Sequence, residues 1–384
     1  MTENALQVAA AVLDGELRGE VRLEWDETGV LSSVSAGDVI SEDDEALLQP
    51  EQLIAVPGFV DMHTHGALGY DFISCDIPGA RTILQHHYQH GATTVIASLV
   101  TDTLDAICAQ MTALSALCER GELAGLHMEG PWLSPHKKGA HNPDYLCAPT
   151  TERISRALAA ARGYMRMVTL APELPGASEA MRLLKEASVV VACGHSDADA
   201  EQTATAVEAG VTVATHLFNA MRPIHHRAPG PVPVLLNDQR VINELILDGV
   251  HLSDEVIRMS IHTAGARRIA LVTDSMAATG LADGDYALGS LMTRVTGGVA
   301  KLLDETGAMG AIAGSTMTAD QAFARCRRIG FSLPEVSRMS STTPARALEL
   351  ADVGELTPGK NADICLVDTA GNLRSVYRRG MRHL

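Results

Sequence analysis

The stretch of sequence that decides the fold runs from residue 189 to residue 216 and reads VVVACGHSDADAEQTATAVEAGVTVATH. An apolar run is followed by Ser196-Asp197 as a helix N-cap, by an Ala- and Glu-rich body, by Gly210 as a stop, and by a second apolar run. A strand, a helix and another strand in this order predict one βα unit of a parallel sheet.

The same alternation repeats from Phe59 to Asp274 and predicts eight strands, the number that closes a TIM barrel. The predicted strands are Phe59–His65, Thr94–Leu99, Ala124–Glu129, Met167–Ala171, Val189–His195, Val211–His216, Asn243–Asp248 and Ile269–Asp274. The sequence before Pro57 alternates with turn residues, and strand-like Ile364–Val367 follows a turn near the other end. We therefore expect the two ends of the chain to pair into a small β domain.

The predicted fold class is α/β, a (β/α)8 TIM barrel with a small β-sandwich domain built from the N- and C-terminal segments. Residues 57–350 form the predicted barrel, and residues 1–56 and 351–384 form the two parts of the β domain. Residues 282–311 are rich in glycine and in short β-like runs. They are either a loop over the barrel mouth or part of the β domain, and the sequence leaves both readings open.

Composition narrows the class of partner. The 384 residues carry a formal net charge of -17, which opposes binding to nucleic acid or to an anionic membrane. The N-terminal region has no basic stretch followed by an apolar run, and no stretch of the sequence reaches the roughly 18 apolar residues of a membrane span. The seven cysteines are scattered and lack a C-x-x-C pair, as expected of reduced thiols. We expect a cytoplasmic protein with a small-molecule substrate.

Histidines and acids end the predicted barrel strands, at His63, His65, Glu129, His195, His216 and Asp274. In a barrel these ends meet at one mouth. His63 and His65 are two residues apart, so both imidazoles face the same side of a strand. Alone, this pair could equally be structural, but the whole set favours a metal site. Neutral imidazoles with carboxylates suit Zn²⁺, Fe²⁺ or Mn²⁺.

Such a site would support hydrolysis of an amide bond. A divalent ion lowers the pKa of a coordinated water toward neutrality and polarises a carbonyl, while a nearby carboxylate moves the proton to the leaving amine. Asp274 ends the apolar run Leu271–Thr273 and is our candidate for that carboxylate. Its alternative role is a helix N-cap.

Seven motifs together resemble the amidohydrolase superfamily, and within it the N-acetylglucosamine-6-phosphate deacetylases. They are Pro57–Gly66 (PGFVDMHTHG), His127–Trp132 (HMEGPW), Lys138–Pro143 (KGAHNP), Gly194–Ser196 (GHS), Thr215–Met221 (THLFNAM), Asp248–His251 (DGVH) and Thr273–Met276 (TDSM). The resemblance covers essentially the whole chain. It implies hydrolysis of N-acetyl-D-glucosamine 6-phosphate to D-glucosamine 6-phosphate and acetate, in amino-sugar and cell-wall-sugar recycling.

The resemblance also implies roles for single residues. Glu129, His195 and His216 would bind the primary metal, and Asp274 would be the general base and then the acid. His251 would steady the amide carbonyl, and Arg227 would anchor the phosphate. The other implied substrate contacts are Ala140, His141, Asn219, Ala220, Ile312, Ala313 and Gly314.

Metal count and assembly are further implications of the resemblance. Some relatives lack the first histidine pair, but this chain keeps His63 and His65. We therefore favour two ions per chain over one, with Glu129 bridging, Asp274 contributing as a ligand, and Zn²⁺ preferred over Fe²⁺, Mn²⁺ or Co²⁺. A homodimer or dimer-based oligomer is also implied.

Two competing functions remain open at this stage. A related enzyme could act on a cyclic amide or a nucleobase, which needs no phosphate anchor such as Arg227. A non-catalytic sensor of an amino-sugar phosphate would keep the fold but lose a ligand or the base. Every candidate ligand and Asp274 are present, which disfavours the sensor.

Overall fold

The computed structural model describes residues 4–45, 48–304 and 306–384. Residues 1–3, 46 and 47 of the predicted N-terminal β segment lie outside the described residues, as does residue 305 of the undecided 282–311 segment. None of the helices in the described ranges combines the length and apolar character that a membrane span requires.

The barrel is present as an eight-stranded parallel sheet whose strands follow one another in chain order, so the predicted fold class is confirmed. Its strands are Val60–Thr64, Thr94–Val100, Gly125–Glu129, Met165–Leu170, Val190–Cys193, Val211–Ala214, Ile242–Ile246 and Ile269–Val272. The first and last strands meet where the main-chain N–H of Asp274, just beyond the last strand, donates to the carbonyl of His63 within the first strand at 2.9 Å. The Thr273 hydroxyl also donates to the Asp61 carboxylate at 2.6 Å.

Helices follow the barrel strands as the sequence pattern predicts. The α-helices are Glu42–Glu45, Ile77–Gln89, Leu104–Glu119, Thr151–Ala160, Ala177–Glu186, Ala200–Ala209, Pro231–Asn237, Asp254–Ala264, Ala319–Arg328, Leu333–Ser337 and Thr343–Ala347. Short 3-10 turns cover Pro135–Lys137, Pro143–Tyr145 and Ala266–Arg268, and a π-helical turn covers Arg338–Thr342. Between strands, the helices cover the outer surface of the barrel with apolar faces such as Ile107, Met111 and Leu114.

The two ends of the chain share one seven-stranded sheet, as expected for the small β domain. Its strands are Ala5–Leu13, Glu16–Trp25, Leu31–Ser35, Ile54–Pro57, Ile364–Val367, Leu373–Arg378 and Met381–Arg382. Strand Ile54–Pro57 joins the two ends, because it pairs parallel with Ala5–Leu13 and antiparallel with Ile364–Val367. A separate apolar core, including Val21, Leu23 and Ile364, packs within this domain.

The undecided segment forms neither a plain loop nor part of the terminal sheet. Strands Gly284–Leu288, Leu291–Thr296, Val299–Leu303 and Met309–Ile312 make a separate four-stranded antiparallel sheet. Its inner face packs on Met276 and Ala278, which follow the last barrel strand. The segment therefore lies beside the barrel mouth, where Leu288 and Ile312 line the main cavity. A two-stranded ribbon, Gly66–Ala67 with Tyr70–Asp71, adjoins this sheet, because the N–H of Gly289 donates to the Asp71 carboxylate at 3.2 Å.

The predicted helix N-cap at Ser196-Asp197 is wrong by two to three residues. The helix begins after Asp199, whose side chain accepts from the N–H of Gln202 in a capping box. Ser196 and Asp197 instead bind Glu173 through a hydroxyl at 2.8 Å and a main-chain N–H at 2.6 Å. The chain thus continues over the barrel rim before it turns into the helix.

Candidate active site

Six of the predicted strands extend past their observed ends, and for three of them the difference of two residues matters for the site. The strands stop at Cys193, Ala214 and Val272, so His195, His216 and Asp274 lie just beyond them. All three adopt positive φ angles, of 47°, 28° and 47°. Left-handed backbone is uncommon for residues other than glycine and concentrates at functional sites, where surrounding contacts hold it. These turns direct the three side chains into the barrel mouth.

The six predicted metal ligands converge on one small volume. The Nε2 atoms of His195 and His216 lie 3.0 Å apart, and they lie 3.2 and 3.0 Å from Oε1 of Glu129. On the other side, Nε2 of His65 lies 3.1 Å from Oε2 of Glu129 and 3.3 Å from Oδ1 of Asp274. Glu129 therefore stands between two groups of candidate ligands, with one carboxylate oxygen near each group.

His63 completes the second group. Its Nε2 lies 3.2 Å from Nε2 of His65 and 3.5 Å from Oδ1 of Asp274. These three residues, and separately Glu129, His141 and His195, each offer ligand atoms within 4.8 Å of one another. All of these side chains are buried. The donor set of imidazoles and carboxylates suits a divalent ion such as Zn²⁺.

Hydrogen bonds on the far side of each ring fix which nitrogen faces the cluster. Nδ1 of His65 lies 3.1 Å from the carbonyl of Ser98, and Nδ1 of His195 lies 2.9 Å from the carbonyl of Lys137. A carbonyl only accepts, so both Nδ1 atoms carry the hydrogen and each neutral ring turns its Nε2 lone pair toward the cluster. Lone pairs that face one another this closely need a cation or a proton between them. The residues present therefore fit a metal site.

The pKa shifts also indicate that the cluster of histidines and carboxylates favours positive charge. Although burial opposes ionisation of Glu129, nearby His63 holds the pKa of its carboxyl well below the usual range. Burial likewise opposes ionisation of Asp274, yet His63 and His65 lower its pKa to about 2. Conversely, the carboxylates outweigh burial and raise the pKa of His65 to about 9. Without a metal the cluster holds protons, and a divalent ion can replace them.

A cavity of about 360 Å³ opens above this cluster. Seven of the nine predicted substrate contacts line it: Ala140, His141, Asn219, Ala220, His251, Ile312 and Gly314. His251 is oriented by Asp248, whose carboxylate lies 2.7 Å from Nδ1 of the ring and also accepts the main-chain N–H of His251 at 2.9 Å. The Nε2 edge of His251 is thereby left for a ligand in the cavity.

Two predicted contacts do not line this cavity. Ala313 is fully buried behind the wall, and its N–H donates to the carbonyl of Ala300 at 3.1 Å. Strand alternation turns its side chain into the small core of the four-stranded sheet, away from Ile312 and Gly314. Arg227 lies on an exposed loop, where its guanidinium contacts the ring of His226 at 2.6 Å.

A model of the amidohydrolase family matches residues 54–381, which includes every ligand and wall residue described above. The chain belongs to the amidohydrolase family. It is 37% identical over 330 residues to N-acetylglucosamine-6-phosphate deacetylase of Lysinibacillus sphaericus, covering 85% of this chain and 84% of that protein. It is 33% identical over 360 residues to N-acetylgalactosamine-6-phosphate deacetylase of Escherichia coli O157:H7, covering 92% of each.

Among solved structures of the family, an aspartate-to-alanine variant of N-acetyl-D-glucosamine-6-phosphate deacetylase from Mycobacterium smegmatis is similar over the full length. That structure is a complex with N-acetyl-D-glucosamine-6-phosphate. It superposes with a TM-score of 0.92 at 37% identity and covers 100% of both chains. The resemblance to the deacetylases of the amidohydrolase family is therefore confirmed.

The sequence reasoning missed two polar groups of this amidohydrolase site, His136 and Glu244. His136 lines the cavity but follows no strand, so no periodic pattern marked it; its neighbour Lys137, which the sequence offered as a possible addition to the basic cluster around Arg227, lines the cavity as well. Glu244 is fully buried inside the barrel, within the strand Ile242–Ile246. Its signal was available, because a carboxylate in the middle of an apolar barrel strand requires a polar partner inside.

Proposed function

We propose that this chain hydrolyses the acetamide of N-acetyl-D-glucosamine 6-phosphate to D-glucosamine 6-phosphate and acetate, in amino-sugar metabolism. The observation that carries the proposal is the position of Asp274, which faces a cavity of substrate size and contacts both imidazoles of one ligand group. The similarity to deacetylases of N-acetyl amino-sugar phosphates supports the substrate class. A cytoplasmic location belongs to the same proposal, because seven free thiols suit a reducing compartment.

The metal assignment is part of the proposal. Glu129, His195 and His216 would hold one ion, and His63, His65 and Asp274 would hold a second, with Glu129 shared between them. Zn²⁺ is the first candidate, followed by Fe²⁺, Mn²⁺ and Co²⁺. Such ions lower the pKa of a coordinated water and polarise an amide carbonyl.

The protein's own residues supply the proton transfers and the orientation of the substrate. Asp274 is ionised at neutral pH, because its pKa is lowered to about 2, so it can accept the proton of the attacking water and return it to the leaving amine. His251 would steady the acetamide carbonyl by donating from Nε2 in its doubly protonated form, because its Nδ1 already donates to the Asp248 carboxylate. Asn219 and Ala220 would contact the sugar, since both line the wall on the His216 side.

The phosphate is proposed to lie beside Lys137 and His136, two basic side chains of the cavity wall. Arg227 lies outside the cavity of its own chain, so its anchoring role requires a second copy of the chain to present the exposed loop that carries it. We therefore propose a homodimer in which each loop completes the site of the partner. An arginine fork binds phosphate in bidentate fashion, which would hold the acetamido group in place for attack.

Mixed dimers test this arrangement. Arg227→Ala should raise KM for the sugar phosphate with little change in kcat, because only remote binding is lost. Co-expressed Arg227→Ala and Asp274→Asn chains should recover activity, since one site of each mixed dimer then has both groups intact. A strictly monomeric protein in sedimentation, or no recovery in the mixture, would reject the shared site.

The decisive assay for the function is acetate release by the metal-replete protein. We expect rapid release from N-acetylglucosamine 6-phosphate and slow release from unphosphorylated N-acetylglucosamine. N-acetylgalactosamine 6-phosphate must be compared directly, because the Escherichia coli relative is named for that substrate. No acetate from any of the three would refute the proposal and direct attention to cyclic amides and nucleobases.

A further inference from the structure

Glu244 places a buried carboxylate directly beneath the ligand cluster. It lies at the centre of the apolar barrel strand Ile242–Ile246 and is fully buried. Burying a carboxylate is costly unless hydrogen bonds compensate, so its contacts should account for its presence.

A single oxygen of Glu244 reaches both halves of the cluster. Its Oε2 accepts the Nδ1–H of His63 at 2.9 Å and the main-chain N–H of His216 at 3.0 Å. The main-chain carbonyl of Glu244 also accepts the N–H of Leu217 at 2.9 Å. The first contact sets the tautomer of His63, and the other two hold the turn at His216, where φ is 28°.

We propose that Glu244 is a positioning residue shared by the two metal sites, an inference that rests on the proposed metal-dependent function. The hydrogen on Nδ1 of His63 turns its Nε2 lone pair toward His65 and Asp274. The bond to the main chain of His216 holds that residue so that its own Nε2 lies 3.0 Å from Glu129. A group that accepts from the second ring nitrogen of a metal-binding histidine fixes the tautomer and the orientation of the ring.

A glutamine at position 244 can show whether Glu244 acts through its hydrogen-bond acceptor or through its negative charge, because only one carboxylate oxygen of Glu244 has partners in the part of the chain that the structure describes. Within the described residues, Oε1 of Glu244 has no hydrogen-bond partner. A glutamine can therefore place its carbonyl where Oε2 lies and its amide group where Oε1 lies, so that both N–H groups keep their acceptor. Leucine keeps much of the volume but loses the acceptor. Aspartate keeps the charge but is one methylene too short to reach both partners.

The experiment measures Zn²⁺ stoichiometry and affinity by competition with a chromogenic chelator, together with elemental analysis of dialysed protein. Glu244→Leu and Glu244→Asp should bind Zn²⁺ roughly 10–100-fold more weakly and lose part of the bound metal, whereas Glu244→Gln should stay near the parent. Asn243→Leu is the matched control, because Asn243 is equally buried on the same strand and donates to the carbonyls of Val241 and Arg268. It should lower stability while leaving Zn²⁺ binding unchanged.

The outcomes distinguish a failure of the role proposed for Glu244 from a failure of the metal-dependent function on which it rests. If Glu244→Leu binds Zn²⁺ as tightly as the parent, Glu244 has no positioning role. The proposal is also wrong if Glu244→Gln loses as much Zn²⁺ affinity as Glu244→Leu does. If Glu244→Leu does not fold, Glu244→Asp decides in the same way. Failure of the parent protein itself to bind Zn²⁺ or another divalent ion would instead refute the metal-dependent function.

Discussion

Replacing Asp274 with asparagine removes one proton acceptor and leaves the backbone of the site intact. The residue has φ near 47°, a region in which asparagine is several-fold enriched, so the substitution fits the local conformation. Its main-chain groups keep their partners, because the N–H donates to His63 at 2.9 Å and the carbonyl accepts from Ser315 at 2.7 Å. The fold should therefore survive the change.

The expected fall in kcat follows from the contacts that the asparagine side chain of Asp274→Asn can still make. Asparagine can keep an oxygen where Oδ1 lies, 3.3 Å from Nε2 of His65, so part of the ligand contact persists. Its other atom is an NH₂ group, which cannot take a proton. Positioned acid–base groups typically contribute about 10²–10⁴-fold, so kcat should fall by that factor, or by about 3–5 kcal/mol.

Steady-state acetate release with N-acetylglucosamine 6-phosphate, on samples matched for metal content, measures this loss. Asp363→Asn is the control, because it makes the same chemical change at a buried carboxylate near the opposite end of the barrel. It should leave kcat close to that of the parent. Near-parent turnover by metal-replete Asp274→Asn would remove Asp274 from the proton transfer and refute the mechanism.

Two further predictions concern charge. Burial raises the pKa of Asp363 to about 6, well above its value of about 3.9 in an unfolded chain. The folded state then binds the proton more tightly, so this group's contribution to stability is complete below about pH 4 and is lost as the pH rises through 6. Asp363→Asn should gain up to about 3 kcal/mol relative to the parent between pH 4 and pH 8 in paired denaturant titrations. A difference independent of pH would contradict the shift. At the metal site, the pKa of about 9 for His65 means that the metal-free protein carries that proton at pH 7. Zn²⁺ binding should therefore release protons and tighten as the pH rises toward 9, which calorimetry in buffers of different ionisation enthalpy would detect. Equal heats in all buffers would argue against it.

The barrel could be predicted because each βα unit repeats the same local signals along the chain. Apolar runs, N-cap residues and glycine stops recur at similar spacing, and chain order then determines strand order in a barrel. The strand ends were the weak point. Nothing in the residue types shows that His195, His216 and Asp274 adopt left-handed turns, because neighbouring strands impose those angles rather than local preference.

The segment 282–311 and Arg227 show a different limit of prediction from sequence, which is the choice of contacts between distant residues. Short glycine-rich β runs predict strands but not the sheet that they join, since pairing partners are chosen by contacts distant in sequence. Here the strands pair with one another and pack on Met276. Arg227 was identified by motif alone, and a motif carries no information on whether its side chain faces its own cavity or a second subunit.

The metal site and the closure of the barrel use the same residues. The first and last strands meet through the bond from Asp274 to the carbonyl of His63, so the two residues that close the barrel also face the same proposed ion. Glu244, on the adjacent seventh strand, then ties His63 to His216 across the interior. The bonds of His63 to Asp274 and Glu244 cross the seam and form only when the barrel is closed, so the position of His63 should be reached late in folding and should be lost when the seam opens. Glu244 could be noticed in the sequence as a carboxylate within an apolar strand, but its partners could not, because His63 and His216 approach it only in the folded barrel.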